Sequence, residues 1–262
     1  MFSSTYAGMY VDKLFASLDA DLNMERIAGG NETEVYCTDD RRHVVKVKSE
    51  GGSTLEEALA EAQVLREAAD LFAEALGPEH TIPTFFIVAR NSQGEVQPVA
   101  IQPYICNAQT LFEVDYHALD ATERRRIAAQ LRSIIRRSLE FYRKTGAMPD
   151  LYGRLSHSKA ERERRNAPCR LPHRIWSFLV QRTLLRAHNL LLTPAPEHRI
   201  ILVDYDPVKR STIYRYLYYQ ARRVLFLRDY LLIALMERTG WAFKPRLKPC
   251  LDEAEPVAIH RL

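Results

Sequence analysis

The chain has 262 residues, 47% of them hydrophobic and 27% charged, with a formal net charge of +4 at pH 7. With that balance disorder is not the default, and the chain can bury one or two substantial cores. The longest uncharged apolar run, residues 230–236, is far too short to span a bilayer.

The first 18 residues lack a basic start followed by an apolar block, so no secretory signal is expected. Four cysteines (Cys37, Cys106, Cys169, Cys250) show no paired spacing, which argues against a zinc site and a disulfide framework. Reduced thiols in a cytoplasmic protein are the expectation. The positive charge is unevenly placed, since residues 154–186 are dense in Arg and poor in acids.

In chain order, Tyr6, Met9, Tyr10, Leu14 and Leu18 recur at helical spacing, which predicts a short leading helix within residues 1–22. Residues 25–36, ERIAGGNETEVY, read as two strands about a Gly29-Gly30 turn. The turn Asp39-Asp40-Arg41-Arg42 leads into residues 43–48, whose alternation puts Val44, Lys46 and Lys48 on one strand face. An edge strand with two solvated lysines would carry the same pattern. Ser53 and Glu56 are spaced as a capping box, and Ala58, Leu59, Ala62, Leu65, Ala69 and Phe72 then form an apolar helical stripe ending at Gly77-Pro78. Glu61 borders that stripe, where a carboxylate calls for a partner. Residues 81–89 and 95–105 are strand-like about the hairpin Asn91-Ser92-Gln93-Gly94. Residues 23–105 thus predict a small five-stranded antiparallel unit with one helix.

The remainder, residues 106–262, is mainly helical in pattern. Asp120 and Glu123 open a long amphipathic helix carrying Ile127, Leu131, Ile134, Ile135, Ser138 and Tyr142 on one side, and Gly146 stops it. Met148-Pro149-Asp150-Leu151-Tyr152-Gly153 follows. Residues 154–188 open polar and basic and break at Pro168 and Pro172. Ile175, Trp176, Leu179, Val180, Leu184 and Leu185 then predict an amphipathic helix packed on the body. The basic half reads as a solvated loop or as a surface for an acidic partner. Residues 188–207, HNLLLTPAPEHRIILVDYDP, read as two strands joined by a Pro-rich turn, with Asn189 opening the first and Asp204 and Asp206 ending the second. One amide and one carboxylate side by side make a plausible hard-cation site, since Mg²⁺ takes oxygen ligands. A plain hairpin with Asp residues serving the turn has the same pattern. Residues 211–239 are nearly continuous helix, apolar on several sides and so expected to be buried, with Asp229 placed to start a second helix. Pro245, Pro249 and Pro256 mark an irregular tail.

This order of Asn189, apolar strand and Asp204-Tyr205-Asp206 resembles the protein kinase-like superfamily, including its aminoglycoside-phosphotransferase branch. There the catalytic loop ends in Asn, and the next strand ends in the metal-binding Asp of an Asp-Phe-Gly triplet. The resemblance covers residues 25–206. It implies an α+β, two-lobed kinase-like fold, with a small antiparallel β-lobe carrying one helix and a mainly helical second lobe. It also implies an ATP- and Mg²⁺-dependent phosphotransferase that moves a γ-phosphoryl group to a hydroxyl. In that frame Lys46 holds nucleotide phosphates and Glu61 orients Lys46, with Glu57 the fallback. Gly29 and Gly30 sit in the phosphate-covering turn, Tyr104 lies in the hinge beside the adenine, and Asn189 and Asp204 hold metal.

Departures from the pattern are specific. Gly30 falls on the family's middle glycine, but Ala28 and Thr33 occupy the outer two positions, and Pro103 removes a hinge donor. Five residues before Asn189 stands Leu184, which cannot act as a base. Asp150 is the candidate that aligns the acceptor, which requires residues 154–188 to be inserted within the catalytic loop. The alternatives are a catalytically inactive kinase-like binding or regulatory module and, less favoured, a nucleic-acid or anionic-lipid binder acting through the basic insert. Small molecule, protein side chain and self-phosphorylation are all open as acceptors.

Overall fold

The computed structural model describes residues 25–29, 33–48, 54–90, 96–153, 182–205 and 212–242, together with Trp176 and Phe178. The leading helix, Gly30, Asp206, the basic half of the insert and the Pro-rich tail lie outside the described residues. The described chain is α+β, with two antiparallel sheets and three α-helices.

The larger sheet contains β1 (Glu25–Gly29), β2 (Thr33–Cys37), β3 (His43–Lys48), β4 (Phe85–Arg90) and β5 (Val96–Pro103) in the order β1-β2-β3-β5-β4. Every pairing is antiparallel, with Val35 opposite Lys46 and Lys46 opposite Ala100. Helix α1 (Leu55–Leu76) packs on β4 and β5 through Ala58, Ala62, Leu65, Ala69, Phe72 and Leu76, all buried. Ala58 and Ala62 pack with Val88 and Val96 of the sheet, whereas Leu65, Ala69, Phe72 and Leu76 join the main core, where Phe72 meets Phe141 edge-on at 5.5 Å. Its capping box is formed by Thr54 and Glu57, one residue later than the Ser53–Glu56 spacing predicts. Both pairs have the same spacing, and Ser53 lies outside the described residues.

Helix α2 (Ala121–Thr145) begins and ends where its sequence signals stand. Asp120 accepts hydrogen bonds from the backbone N–H groups of Thr122 and Glu123, the Glu123 carboxylate returns to the Asp120 N–H, and Gly146 caps the end in a left-handed conformation. Its buried face (Ile127, Ala128, Leu131, Ile134, Ile135, Ser138, Phe141) forms the centre of the main core. The second sheet joins β6 (Gln109–Thr110), β7 (Leu190–Leu192) and β8 (Ile200–Leu202), with Leu190 opposite Leu202. The β7–β8 hairpin is the one the sequence predicts. The two-residue strand β6 is too short to leave a periodic signal.

Helix α3 (Thr212–Thr239) runs unbroken through Asp229. Asp229 does not cap a second helix. It is buried and accepts hydrogen bonds from the Tyr152 hydroxyl at 2.5 Å and from Arg228 at 3.0 Å. The helix is also not buried all round, since Ile213, Leu217, Val224, Leu227 and Leu231 are exposed. Of the amphipathic helix expected from Ile175 to Leu185, the described residues Trp176 and Phe178 are helical, and residues 175, 177 and 179–181 lie outside the described residues. Residues Leu184–Arg186 form a short 3-10 turn with Leu184 and Leu185 buried, and Trp176 is exposed. Among the described residues no helix is long and apolar enough to cross a membrane.

The two sheets are tied by polar contacts at one seam. His80 Nδ1 lies 3.0 Å from the Ile200 carbonyl, and Thr81 bridges to Leu202. The buried Tyr205 hydroxyl both receives the Ile82 N–H at 2.8 Å and donates to the Ile82 carbonyl at 3.1 Å. Burial pushes the Tyr205 phenol up to about 12, so it stays protonated and able to donate at neutral pH. Tyr205→Phe strands a buried N–H and is expected to cost about 1–3 kcal/mol, read as a lower urea midpoint at unchanged slope.

Candidate functional site

The site is assembled from the end of β3, the segment after α2, and the outer ends of β7 and β8. Asn189 stands just before β7 and is buried. Its Nδ2 donates to the Asp150 carbonyl at 2.8 Å and to the Asp204 carboxylate at 3.2 Å. A carbonyl only accepts, so the amide nitrogen must face Asp150, and the amide oxygen Oδ1 is directed away from it. Asp204 follows β8, and the Val203 N–H donates to the Asn189 carbonyl at 3.0 Å, which locks the two strand ends in register. Asp150, Asn189 and Asp204 are far apart in sequence and lie together in the fold.

Glycine 153 makes this approach possible. Its φ of 63° is left-handed, and a Cβ placed there would stand 2.0 Å from Asn189 Oδ1. Only a residue without a side chain lets the Asp150–Gly153 segment lie against the Asn189 amide. The neighbouring Tyr152 carbonyl accepts the His188 N–H at 2.8 Å, so the two chain positions flanking residues 154–187 lie side by side.

Lys46 enters from the larger sheet. Its Nζ donates to the Val203 carbonyl, one residue before Asp204. The same carbonyl accepts from Gln102 Nε2 at 2.9 Å, and Gln102 also reaches Thr84 Oγ1 at 2.9 Å. Thus β3 and β5 each send one polar side chain across the seam to a single acceptor beside Asp204. Glu61 is half-buried on α1, at the border of its packed face. Gly29 ends β1 opposite Glu34, whereas Gly30 falls outside the described residues. The Tyr104 N–H donates to the Arg42 carbonyl at 2.8 Å, and Pro103 has no N–H, so neither residue offers the ring of a nucleotide a backbone donor.

Around Asp150 lies a group of residues whose pattern gave no warning of a role. Its Oδ1 accepts from the Tyr152 N–H at 3.2 Å and from the Tyr218 hydroxyl at 3.4 Å, with Arg222 at 3.8 Å. Among the described residues none of these contacts uses Oδ2, and the carboxylate is part-exposed. Oδ1 is therefore the oxygen that these contacts hold. Arg222 is buried under Tyr152, Phe178 and Tyr218, with its guanidinium 3.7 Å from the Tyr152 ring centroid, and it donates to the Tyr218 hydroxyl at 2.9 Å. Among the described residues its Nε and one terminal nitrogen have no hydrogen-bond partner. Burial works against its charge, but Tyr218, Asp150 and Tyr152 outweigh that and raise its pKa above the ordinary guanidinium value. The Asp229 carboxyl is raised by burial, against the opposing pull of Arg228 and the Tyr152 hydroxyl. Tyr218, Arg222 and Asp229 all belong to α3, in a Tyr- and Arg-rich stretch that reads in sequence as core and rim. Their spacing of four and seven along one helix face was the available signal.

Leu184, which occupies the position five residues before Asn189, is fully buried apolar core and takes no part in this cluster. Among the described residues no three His, Cys, Asp or Glu side chains gather as a metal-ligating group. No family model, curated protein or solved structure matches this chain.

Proposed function

We propose that the chain is a kinase-like phosphotransferase of two lobes, the β1–β5 sheet with α1 and the helical remainder, taking ATP and Mg²⁺ at the seam between them. The reaction is transfer of the γ-phosphoryl group to a hydroxyl acceptor. One observation carries the reading: the Asn189 amide bonds both the Asp150 backbone carbonyl and the Asp204 carboxylate, and Lys46 arrives beside Asp204 from the opposite sheet.

Phosphoryl transfer depends mainly on positioning and on neutralising charge, which is what this set of residues is equipped to do. The Asn189 amide oxygen and the Asp204 carboxylate would be the hard-oxygen pair, with the Asn189 Nδ2 bond to Asp204 giving way to the ion. Such a pair suits Mg²⁺, which is commonly held by one or two side-chain oxygens plus phosphate and water. The bound ion supplies charge neutralisation on the phosphate oxygens. Lys46 would leave the Val203 carbonyl for the α/β phosphates, with Glu61 orienting it. Asp150, fixed through Oδ1 by Tyr152, Tyr218 and Arg222, turns Oδ2 to the acceptor hydroxyl and takes its proton as the oxygen attacks.

A catalytically inactive kinase-like binding or regulatory module is the second reading, favoured by the Tyr104 N–H already bonded to Arg42 and by Pro103 beside it, which leave the hinge without those donors for a nucleotide. Turnover of ATP with Mg²⁺ separates the two.

Nucleotide binding itself is tested by thermal melting. ATP with Mg²⁺ at 100 times its Kd is expected to stabilise the protein by about 2.7 kcal/mol, a rise of roughly 5–10 °C for a chain of this size. Lys46→Ala and Asp204→Ala should each reduce that rise while the unliganded proteins stay folded. A wild-type melting curve unmoved by millimolar nucleotide would overturn the proposal.

A further inference from the structure

Helix α3 carries on its outer side an apolar stripe whose spacing is a palindrome. Ile213, Leu217, Val224, Leu231 and Leu235 are separated by four, seven, seven and four residues, and they expose between 40 and 75% of their surface. At 100° per residue the five fall within a band about 40° wide, extended on one side by Leu227 and Tyr216, both also exposed. The buried residues of the same helix (Tyr219, Arg222, Leu225, Phe226, Asp229, Ile233, Met236) occupy the opposite face and anchor it to the body.

We propose that this stripe is a self-complementary interface through which two copies of the chain pair α3 against α3, antiparallel, about a two-fold axis at Val224. A two-fold contact requires residue i to meet j and j to meet i. With Val224 on the axis, Leu217 meets the second copy's Leu231 and Ile213 its Leu235, so each apolar residue of the stripe faces another. A partner of different sequence would not require this symmetry. The surface is also large enough. Seven mostly exposed side chains at roughly 100 Å² of free apolar area each amount to about 700 Å² per copy, close to the roughly 800 Å² per partner of a stable interface. A monomer seldom leaves a patch larger than about 300–600 Å² uncovered.

The cations next to the axis do not oppose the pairing. Arg222 is buried on the far face, and Arg223 is drawn sideways, donating to Gln220 Oε1 at 2.8 Å with its guanidinium 5.6 Å from the Tyr142 ring centroid. This inference rests on α3 alone and does not depend on the phosphotransferase reading.

The test is sedimentation equilibrium on the full chain across the micromolar range, with cysteine cross-linking to read the register. The wild type is expected to be dimeric, and Val224→Glu, which sets two carboxylates against each other on the axis, to be monomeric with an unchanged circular dichroism spectrum. Under mild oxidation Val224→Cys should cross-link to itself above the wild-type background. Leu217→Cys should cross-link to Leu231→Cys when the two are mixed, and neither should do so alone. A monomeric wild type overturns the proposal, whether the stripe is then found to bind lipid vesicles or another protein. So does a dimer that Val224→Glu leaves intact, or a pattern in which Leu217→Cys pairs with itself, which marks a parallel arrangement.

Discussion

Asp150→Asn is expected to lower phosphoryl transfer by about 10²–10⁴-fold, the usual contribution of a positioned general base, while leaving the affinity for ATP and Mg²⁺ unchanged. The substitution keeps the size of the side chain. Oδ1 is the oxygen held by the Tyr152 N–H and the Tyr218 hydroxyl, and an amide oxygen can accept both bonds. What changes is the other position, where an NH₂ group can no longer take a proton from an acceptor hydroxyl. The loss then falls on the transition state, so kcat drops and the nucleotide-induced rise in melting temperature remains. Steady-state kinetics beside a thermal shift checks both halves. Full turnover in Asp150→Asn would remove Asp150 from the mechanism and leave the nucleotide site standing.

Gly153→Ala is expected to damage the site and the fold together. The left-handed conformation alone costs an L-residue about 1–2 kcal/mol. The added methyl would then lie 2.0 Å from Asn189 Oδ1, inside any permissible contact, and Asn189 must move. When it moves, its bonds to the Asp150 carbonyl and the Asp204 carboxylate are lost together. Mg²⁺-dependent stabilisation by ATP should disappear, and the unliganded protein should melt lower. Gly146→Ala provides the control, because Gly146 has a similar φ of 72° but no heavy atom within 4 Å of the added carbon. It should show the conformational cost without loss of nucleotide binding. Equal effects of the two substitutions on ATP binding would mean that Asn189 does not hold the metal.

Local signals in the sequence determined most of the secondary structure. Asp120, Glu123 and Gly146 bounded α2, because capping is chemistry between residues three or four apart and needs no tertiary partner. The alternation of residues 43–48 and the turn between two apolar runs at 190–202 likewise put β3, β7 and β8 where they stand. Asn189 and Asp204 were legible as candidates because they stand at the ends of two adjoining apolar runs, whereas Lys46 and Asp150 were singled out only by the resemblance in residue order.

Tertiary structure decided what those residues meet. The approach of Asn189 to Asp150 depends on a left-handed Gly153, and nothing in a lone glycine distinguishes that from an ordinary loop position. The Gln102 bond to Val203 and the Arg222 and Tyr218 contacts with Asp150 join residues 68 to 101 positions apart, beyond any periodic pattern. Helix α3 shows the same limit from the other side. Its hydropathy gives apolar residues on several faces and cannot say which face the body covers. Only the packing of Tyr219, Arg222, Phe226 and Ile233 against the core left the palindromic stripe facing outward, because burial is a property of neighbours and not of the residue itself.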